Sequence, residues 1–208
     1  MASKDTWPTI HAERKALATE LEGLSDEQWA APTECTEWTV RDVVAHMTAT
    51  AKISGGAFFP KLIASGFSLT NMQRKDIARE RGSSPADALA RFSAEVDSSK
   101  HPPGPNPTWL GEVIIHSEDI RRALGLSHTY PPAAVIEVLD FYKGSNLVIG
   151  AKKRVAGVQL RATDAAWSTG SGPEASGPSI SLLMAMTGRK SALAELSGPG
   201  VETLRARA

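Results

Sequence analysis

Glu112 and His116 are two residues whose types and spacing could hold a metal ion. Four residues span a little more than one helical turn, so a helix presents both side chains on one face. A carboxylate and an imidazole placed this way can share one divalent cation. The flanking apolar residues indicate that much of this helix is buried: Val113, Ile114, Ile115, Ile120 and Leu124. A carboxylate beside such a surface needs a partner to offset its desolvation, which raises the question of a third ligand.

His46 is the candidate for that third ligand. It lies in the second turn of a helix that Thr39 and Asp42 are placed to cap, beside an apolar stripe. Two imidazoles and one carboxylate leave coordination positions open for water or substrate, as in catalytic zinc sites, and also suit other first-row metals. The alternatives are a hydrogen-bonded buried histidine and an ordinary helix-surface pair. Asp42 either orients the free ring nitrogen of His46 or serves only as the capping acid.

Other polar residues carry weaker signals. We expect Glu118 and Asp119 to pair with Arg121, Arg122 or solvent. Cys35 has no local partner motif, so a small buried thiol is the expectation. Because it is the only cysteine, a disulfide within the chain is impossible and a cysteine-based zinc site is excluded. Three further histidines are expected at the surface: His11, His101 and His128.

The composition argues against several classes of partner. The 208 residues carry 23 basic and 23 acidic side chains, so nucleic-acid binding is not expected. No apolar stretch approaches the ~20 residues that cross a bilayer, and no apolar segment follows Lys4 as a signal peptide requires. We expect a soluble, reduced, cytoplasmic protein that binds neither nucleic acid nor membrane.

Apolar periodicity divides the chain into a helical part and a smaller mixed part. Helical spacing recurs to about residue 150, interrupted by a proline-rich loop over 101–107 that precedes Thr108, a residue placed to cap the next helix. A last long helix is predicted from Ala133 to about Arg154, and the period-2 alternation of 158–163 predicts a strand. The prediction is therefore a mainly α chain with two domains: an antiparallel helical bundle with extra short helices over 1–154, and a small α/β domain over 155–208.

Several stretches, spread over almost the whole chain, resemble the mycothiol-dependent maleylpyruvate isomerase family, which is part of the DinB-like superfamily of metal-dependent helical bundles. The stretches that carry the resemblance are Trp38-Thr-Val-Arg-Asp-Val-Val-Ala-His46, Trp109-Leu-Gly-Glu-Val-Ile-Ile-His-Ser-Glu-Asp-Ile-Arg-Arg122, Leu160-Arg-Ala-Thr-Asp-Ala-Ala-Trp167, Gly177-Pro-Ser-Ile-Ser-Leu-Leu-Met-Ala-Met-Thr-Gly-Arg189 and Leu196-Ser-Gly-Pro-Gly200.

The resemblance implies a fold, a metal and a cosubstrate. The fold would be a DinB-like four-helix bundle followed by a small α/β domain. The divalent metal, zinc in the isomerase itself, would be held by His46, Glu112 and His116. Mycothiol, a low-molecular-weight thiol, would be the cosubstrate, and the metal would lower its pKa for attack on a small electrophile.

The resemblance leaves the reaction open. The ligand set carries over to a broad class of thiol transferases, of which the isomerase is one member. A non-catalytic metal- or small-molecule-binding relative with a regulatory role and a metal-dependent hydrolase are the alternatives. A dicarboxylate substrate would need cations at the pocket, for which Arg41, Arg121 and Arg122 are candidates. Monomer and homodimer both remain open.

Overall fold

Helices dominate the computed structural model of this chain, which describes residues 5–35, 37–147 and 149–208. Internal contacts group the described residues into two units that divide between His128 and Thr129. The domain boundary predicted between residues 154 and 155 lies further along the chain than this division. That boundary stays a prediction. None of the described helices combines the length and the apolar character needed to cross a membrane.

The first unit is helical throughout its regular elements. In its described part, the helices are α1 (Trp7–Leu21), α2 (Asp26–Trp29), α3 (Val40–Lys52), α4 (Gly55–Ala64), α5 (Leu69–Glu80), α6 (Pro85–Ser93) and α7 (Asn106–Leu124). Helices α1, α7, α3 and α6 contact one another in a closed ring, and α5 packs on the outside of α3. The predicted four-helix bundle is confirmed.

Local signals set where the two helices that carry the predicted ligands begin. Helix α3 begins after Thr39, whose side chain accepts a hydrogen bond from the backbone of Asp42, while the Asp42 carboxylate accepts one from the backbone of Thr39. Helix α7 begins two residues before the predicted cap at Thr108. The reason is that Pro107, which lacks an N–H donor, fits the first turn of a helix.

The apolar stripe of α3 forms the centre of the bundle. Val40, Val43, Val44 and Met47 have no solvent exposure, and burying each such side chain contributes roughly 1.5–3 kcal/mol. The same burial fixes the rotation of α3 about its axis, because these residues must face the core. His46, next to Met47 in sequence, is thereby held at the edge of the buried face.

The second unit contains a small sheet and short helices. Its described elements are α8 (Pro132–Tyr142), α9 (Ala151–Arg154), β1 (Gln159–Ala162), β2 (Ser168–Thr169), β3 (Glu174–Gly177), α10 (Ser179–Met186), a 3₁₀ helix (Ser191–Glu195) and α11 (Gly200–Arg205). The sheet order is β2-β1-β3, with β1 antiparallel to β2 and parallel to β3. The predicted small α/β part and its first strand are confirmed.

The prediction of one long helix from Ala133 to about Arg154 is wrong. Helix α8 ends at Tyr142, and the next helical turn begins only after Gly150, which adopts a left-handed conformation with φ of 64°. Glycine populates this region without steric cost, so Gly150 breaks the helical backbone immediately before α9. Val148, which the predicted helix includes, lies outside the described residues.

Candidate metal centre

Helix α7 presents Glu112, His116 and Asp119 at spacings of four and three residues, and therefore along one face. Its other faces are occupied by buried apolar residues, which lock the helix against α1 and α3. One rigid helix thus positions three metal-ligand-type side chains. Asp119 therefore joins the predicted pair of Glu112 and His116. The sequence analysis had expected Asp119 to pair with an arginine or with solvent.

Glu112 is the residue whose environment is least satisfied. Both of its carboxylate oxygens are buried, and neither makes a hydrogen bond of normal geometry with a described residue. Burial raises the pKa of Glu112 above its ordinary value, opposed by the charges of His116 and Arg14 and by a weaker interaction with the Thr50 side chain. Buried carboxylates are normally paired or bound to a metal, so the donor set of this site fits a cation.

His46 of α3 reaches the same face as His116. The centroids of their imidazole rings are 5.0 Å apart, and the ring planes are nearly perpendicular at 81°. Two imidazoles bound to one tetrahedral metal at ~2.0–2.1 Å would have ring centroids about 5 Å apart. Trp38 covers both rings, with its centroid 4.9 Å from that of His46 and 6.2 Å from that of His116.

Cys35 forms a compact cluster with His116 and Asp119. Its Sγ donates to Oδ2 of Asp119 at 3.2 Å and lies 3.5 Å from Nδ1 of His116. Nδ1 of His116 in turn donates to the same Asp119 oxygen at 3.1 Å. Asp119 is buried and contacts His116 and Cys35, two partners that the sequence analysis did not propose for it. Cys35 is half-buried beside these two polar side chains rather than enclosed by apolar ones.

A short connection delivers Cys35 to this position. The segment before α3 is closed on itself: Thr33 donates from its backbone to the carbonyl of Trp38, and Val40 donates to the carbonyl of Ala31. We call residues 31–35 and 37–39 the Cys35 loop. No local motif around Cys35 signals the contact, because its partners lie more than eighty residues away in sequence.

The two histidines have opposite electrostatic environments. Burial, together with the charge of His116, lowers the pKa of His46 to about 3, so that His46 is neutral at neutral pH. Burial also lowers the pKa of His116, but its hydrogen bonds with Asp119 and Cys35 dominate and raise it to about 10. A neutral imidazole is the form that binds metals, so His46 is ready to act as a ligand and His116 must release a proton.

Two candidate ligand sets differ in how close together their ligand atoms lie. Among the described residues, Cys35, His116 and Asp119 bring three ligand-type atoms within 4.8 Å of one another. The predicted set of His46, Glu112 and His116 is not as compact, although its members share one region of the bundle. The two sets have His116 in common, and they would use different nitrogens of its ring.

Asp42 and Arg41 are engaged at the start of α3. Oδ2 of Asp42 accepts from Thr39, and Oδ1 lies 3.1 Å from the guanidinium of Arg81. The capping alternative for Asp42 is thereby confirmed. Arg41 donates to the backbone carbonyls of Arg81 and Gly82, which ties α3 to the end of α5.

Arg121, offered as a substrate-binding cation, is buried inside the bundle. Its guanidinium donates to both carboxylate oxygens of Glu20, at 2.8 and 3.1 Å, and the side chain has no exposure. The structure thus places Arg121 in a structural ion pair between α7 and α1. Arg122 pairs with Glu118 at 2.8 Å, as expected.

All three histidines predicted at the surface, His11, His101 and His128, are only partly exposed. His128 pairs with Glu13 at 2.8 Å, and its side chain is only 19% exposed. His101 lies between the rings of Trp7 and Trp109, with centroid distances of 5.5 and 5.4 Å.

Arg14 is a buried cation that the sequence analysis did not predict. It is 1% exposed, donates from Nη1 to the carbonyl of Ser98 at 2.7 Å, and carries a buried Nε without a partner in the described part of the chain. Burial lowers its pKa, opposed by the charges of Glu112 and Glu95. Its place among apolar residues of α1 is the only sequence signal that could have singled it out.

The bundle and the donor set on α3 and α7 define the class of protein: a DinB-like helical bundle with a candidate metal centre. Residues 10–104 match the family model described as the Mycothiol maleylpyruvate isomerase N-terminal domain. The resemblance of the chain to the mycothiol-dependent maleylpyruvate isomerase family is therefore confirmed. The matched segment contains His46, whereas Glu112 and His116 lie beyond it.

Two solved structures are similar over nearly the whole length. One is a histidine-to-alanine mutant of the mycothiol-dependent maleylpyruvate isomerase, with a TM-score of 0.64 and 13% sequence identity. The other is the mycothiol-dependent maleylpyruvate isomerase, with a TM-score of 0.60 and 11% identity. Each comparison covers 96% of this chain and 93% of the other. At this identity the likeness establishes the fold. No curated protein matches the chain.

Proposed function

We propose that this protein is an enzyme, a metal-dependent S-transferase or isomerase that uses mycothiol to attack a small electrophilic substrate. The metal, which we propose to be zinc, would be held by His46, Glu112 and His116. The observation that carries the proposal is the buried carboxylate of Glu112, which makes no hydrogen bond of normal geometry with the described residues and lies one turn before His116. A cytoplasmic location is part of the same proposal.

The side chains of the site have separable tasks. A metal bound there would lower the pKa of a thiol and hold the thiolate. His46 is neutral and rigidly placed by the buried stripe of α3. Asp119 accepts from Nδ1 of His116, which leaves Nε2 to face the metal and fixes the orientation of the ring. Trp38 covers both imidazoles and limits their contact with water.

The chemistry of the two reactions differs only in the last step. The thiol adds its sulfur to one carbon of a maleyl-type double bond and its proton to the other. Rotation about the resulting single bond, followed by elimination of the same thiol, gives the isomer. Transfer stops at the thiol adduct. The proposal covers both outcomes and does not name the substrate.

The test combines metal content with thiol-dependent turnover. Protein purified without chelator should contain close to one equivalent of metal and should conjugate mycothiol to a bimane or dinitrobenzene probe. His46→Ala and Glu112→Ala should each reduce conjugation to background, whereas His11→Ala should not, since His11 lies apart and contacts Ser99.

Two alternatives give different results in the same experiment. A non-catalytic relative would bind metal or ligand without converting any electrophile. A metal-dependent hydrolase would turn over ester or amide substrates without added thiol. Less than a tenth of an equivalent of metal after supplementation would contradict the proposal itself.

A further inference from the structure

The cluster of Cys35, His116 and Asp119 has the spacing of a metal site as well as that of a hydrogen-bond network. Its three donor atoms are Sγ, Nδ1 and Oδ2, and they are separated by 3.5, 3.2 and 3.1 Å. Ligands of a tetrahedral zinc ion, at ~2.3 Å for sulfur and ~2.0–2.2 Å for nitrogen and oxygen, lie about 3.4–3.6 Å from one another. A shift of about 0.5 Å or less in each separation would accommodate the ion.

The residue types also fit a particular class of cation. A thiolate, an imidazole and a carboxylate together favour borderline-soft metals, zinc above all, and disfavour magnesium and calcium, which prefer oxygen ligands. The sequence analysis excluded a cysteine-based zinc site because the chain has one cysteine. The cluster runs against that expectation, because here one cysteine would act together with a histidine and a carboxylate.

A metal held by Cys35 and Asp119 and a metal held by His46 and Glu112 would both need His116 as a ligand, so the two metal positions are mutually exclusive. A neutral imidazole binds a metal through one nitrogen and carries a proton on the other. Binding through Nε2 leaves the Nδ1 proton to Asp119, whereas binding through Nδ1 replaces that hydrogen bond with a metal bond. The ring can therefore serve His46 and Glu112, or Cys35 and Asp119, but not both sets at the same time.

We propose that Cys35, His116 and Asp119 form a second metal position for a thiophilic divalent cation, occupied in alternation with the position at His46 and Glu112. On binding, the S–H bond of Cys35 and the Nδ1–H bond of His116 break, and both protons pass to solvent. Bonds from the metal to Sγ, Nδ1 and a carboxylate oxygen take their place. No electron is transferred. The inference does not depend on the reaction assigned above.

Cobalt reports the coordination of the thiolate directly. We would load the chelator-treated full chain with Co²⁺ and record its absorption spectrum. The expected result is a near-ultraviolet sulfur-to-cobalt charge-transfer band in the wild-type chain. The band should persist in His46→Ala and Glu112→Gln, which remove ligands of the other position. It should disappear in Cys35→Ser, which keeps a hydrogen-bond donor toward Asp119 and so preserves the local fold.

A thiol assay gives an independent readout, because Cys35 is the only cysteine in the chain. Zinc should slow the reaction of Cys35 with an aromatic disulfide reagent at least tenfold in both the wild type and His46→Ala. The His46→Ala arm separates direct ligation from shielding by a metal at the neighbouring position.

Three results would overturn the inference: no charge-transfer band in any chain at saturating cobalt, a band that survives Cys35→Ser, and zinc protection that vanishes with His46→Ala. The first would mean that the cluster is a hydrogen-bond network only. Failure of the proposed function would appear instead as absent turnover, with the cobalt spectra unchanged.

Discussion

The buried carboxylate of Glu112 allows stability and metal binding to be separated by one substitution. In the absence of metal, burial disfavours the ionised form of this carboxyl more than His116, Arg14 and Thr50 favour it, so its pKa is raised. A folded-state pKa raised above the unfolded value means that stability falls as pH rises from the unfolded pKa to the folded pKa, where the charge is forced into the buried site. Glu112→Gln keeps the shape and removes the charge, so it should stabilise the metal-free protein.

The size of the effect follows from the cost of an unsatisfied buried group. That cost is about 1–3 kcal/mol, and the amide recovers only part of it because it is still polar. We expect the free energy of unfolding of the chelator-treated protein to rise by about 1–2 kcal/mol. For a chain of this length the midpoint of thermal unfolding should rise by about 2–8 °C.

Metal should reverse the order of the two proteins. The comparison is made in the Cys35→Ser background, which removes the thiolate position. There, zinc at about 100 times its dissociation constant should add about 2.7 kcal/mol to the stability of the parent. It should add nothing measurable to Glu112→Gln.

Differential scanning calorimetry, with and without chelator, measures both effects. Glu118→Gln is the matched control, since Glu118 lies on the same helix and already pairs with Arg122. It should lose up to about 1 kcal/mol and keep the full response to zinc. A Glu112→Gln protein that is less stable than its parent without metal, or equally stabilised by zinc, would refute the reasoning.

Two further predictions concern the partners of His116 and the buried arginine. Because the pKa of His116 is raised from 6.5 to about 10, its interaction with Asp119 should stabilise the metal-free fold fully below about pH 6.5 and be lost as pH rises through about 10. Asp119→Asn should thus be less stable than wild type by a margin that shrinks to zero over that range in urea denaturation, and a constant margin would contradict this. Arg121→Met, which leaves Glu20 without its bidentate partner, should cost about 3–5 kcal/mol yet leave the metal stoichiometry unchanged. If that variant folds but no longer binds metal, the conclusion that Arg121 has only a structural role is contradicted.

Local signals predicted the parts of the fold whose determinants are close in sequence. The capping of α3 by Thr39 and Asp42 was readable because both groups lie within one turn. Helix α7 and strand β1 were readable from their apolar periods. The interruption after Tyr142 was missed, because the apolar spacing continues in sequence beyond the point where α8 ends, and the left-handed Gly150 precedes the next helical turn.

The candidate ligands on α7 and α3 could be proposed for the same reason, since two share one helix face and the third lies beside a buried stripe; their binding of a metal stays a prediction. The contacts of Asp119 with His116 and Cys35 were not proposed, because the nearby arginines offered a more obvious pairing for a carboxylate. Arg121 instead pairs with Glu20, which is 101 residues away. The contacts of Cys35 are of the same non-local kind, since only the packed bundle brings the Cys35 loop over α7.

The placement of three candidate ligands on α7, with His46 on α3 and Cys35 on a loop, has a consequence for how such proteins diverge. Glu112, His116 and Asp119 keep their mutual geometry as long as α7 remains helical, so this part of the site is inherited as a unit. The Cys35 loop is closed by its own backbone hydrogen bonds, and loops of this kind tolerate changes of length and sequence. Descendants can therefore exchange the loop residue, and with it the preference for one cation over another, without rebuilding the bundle.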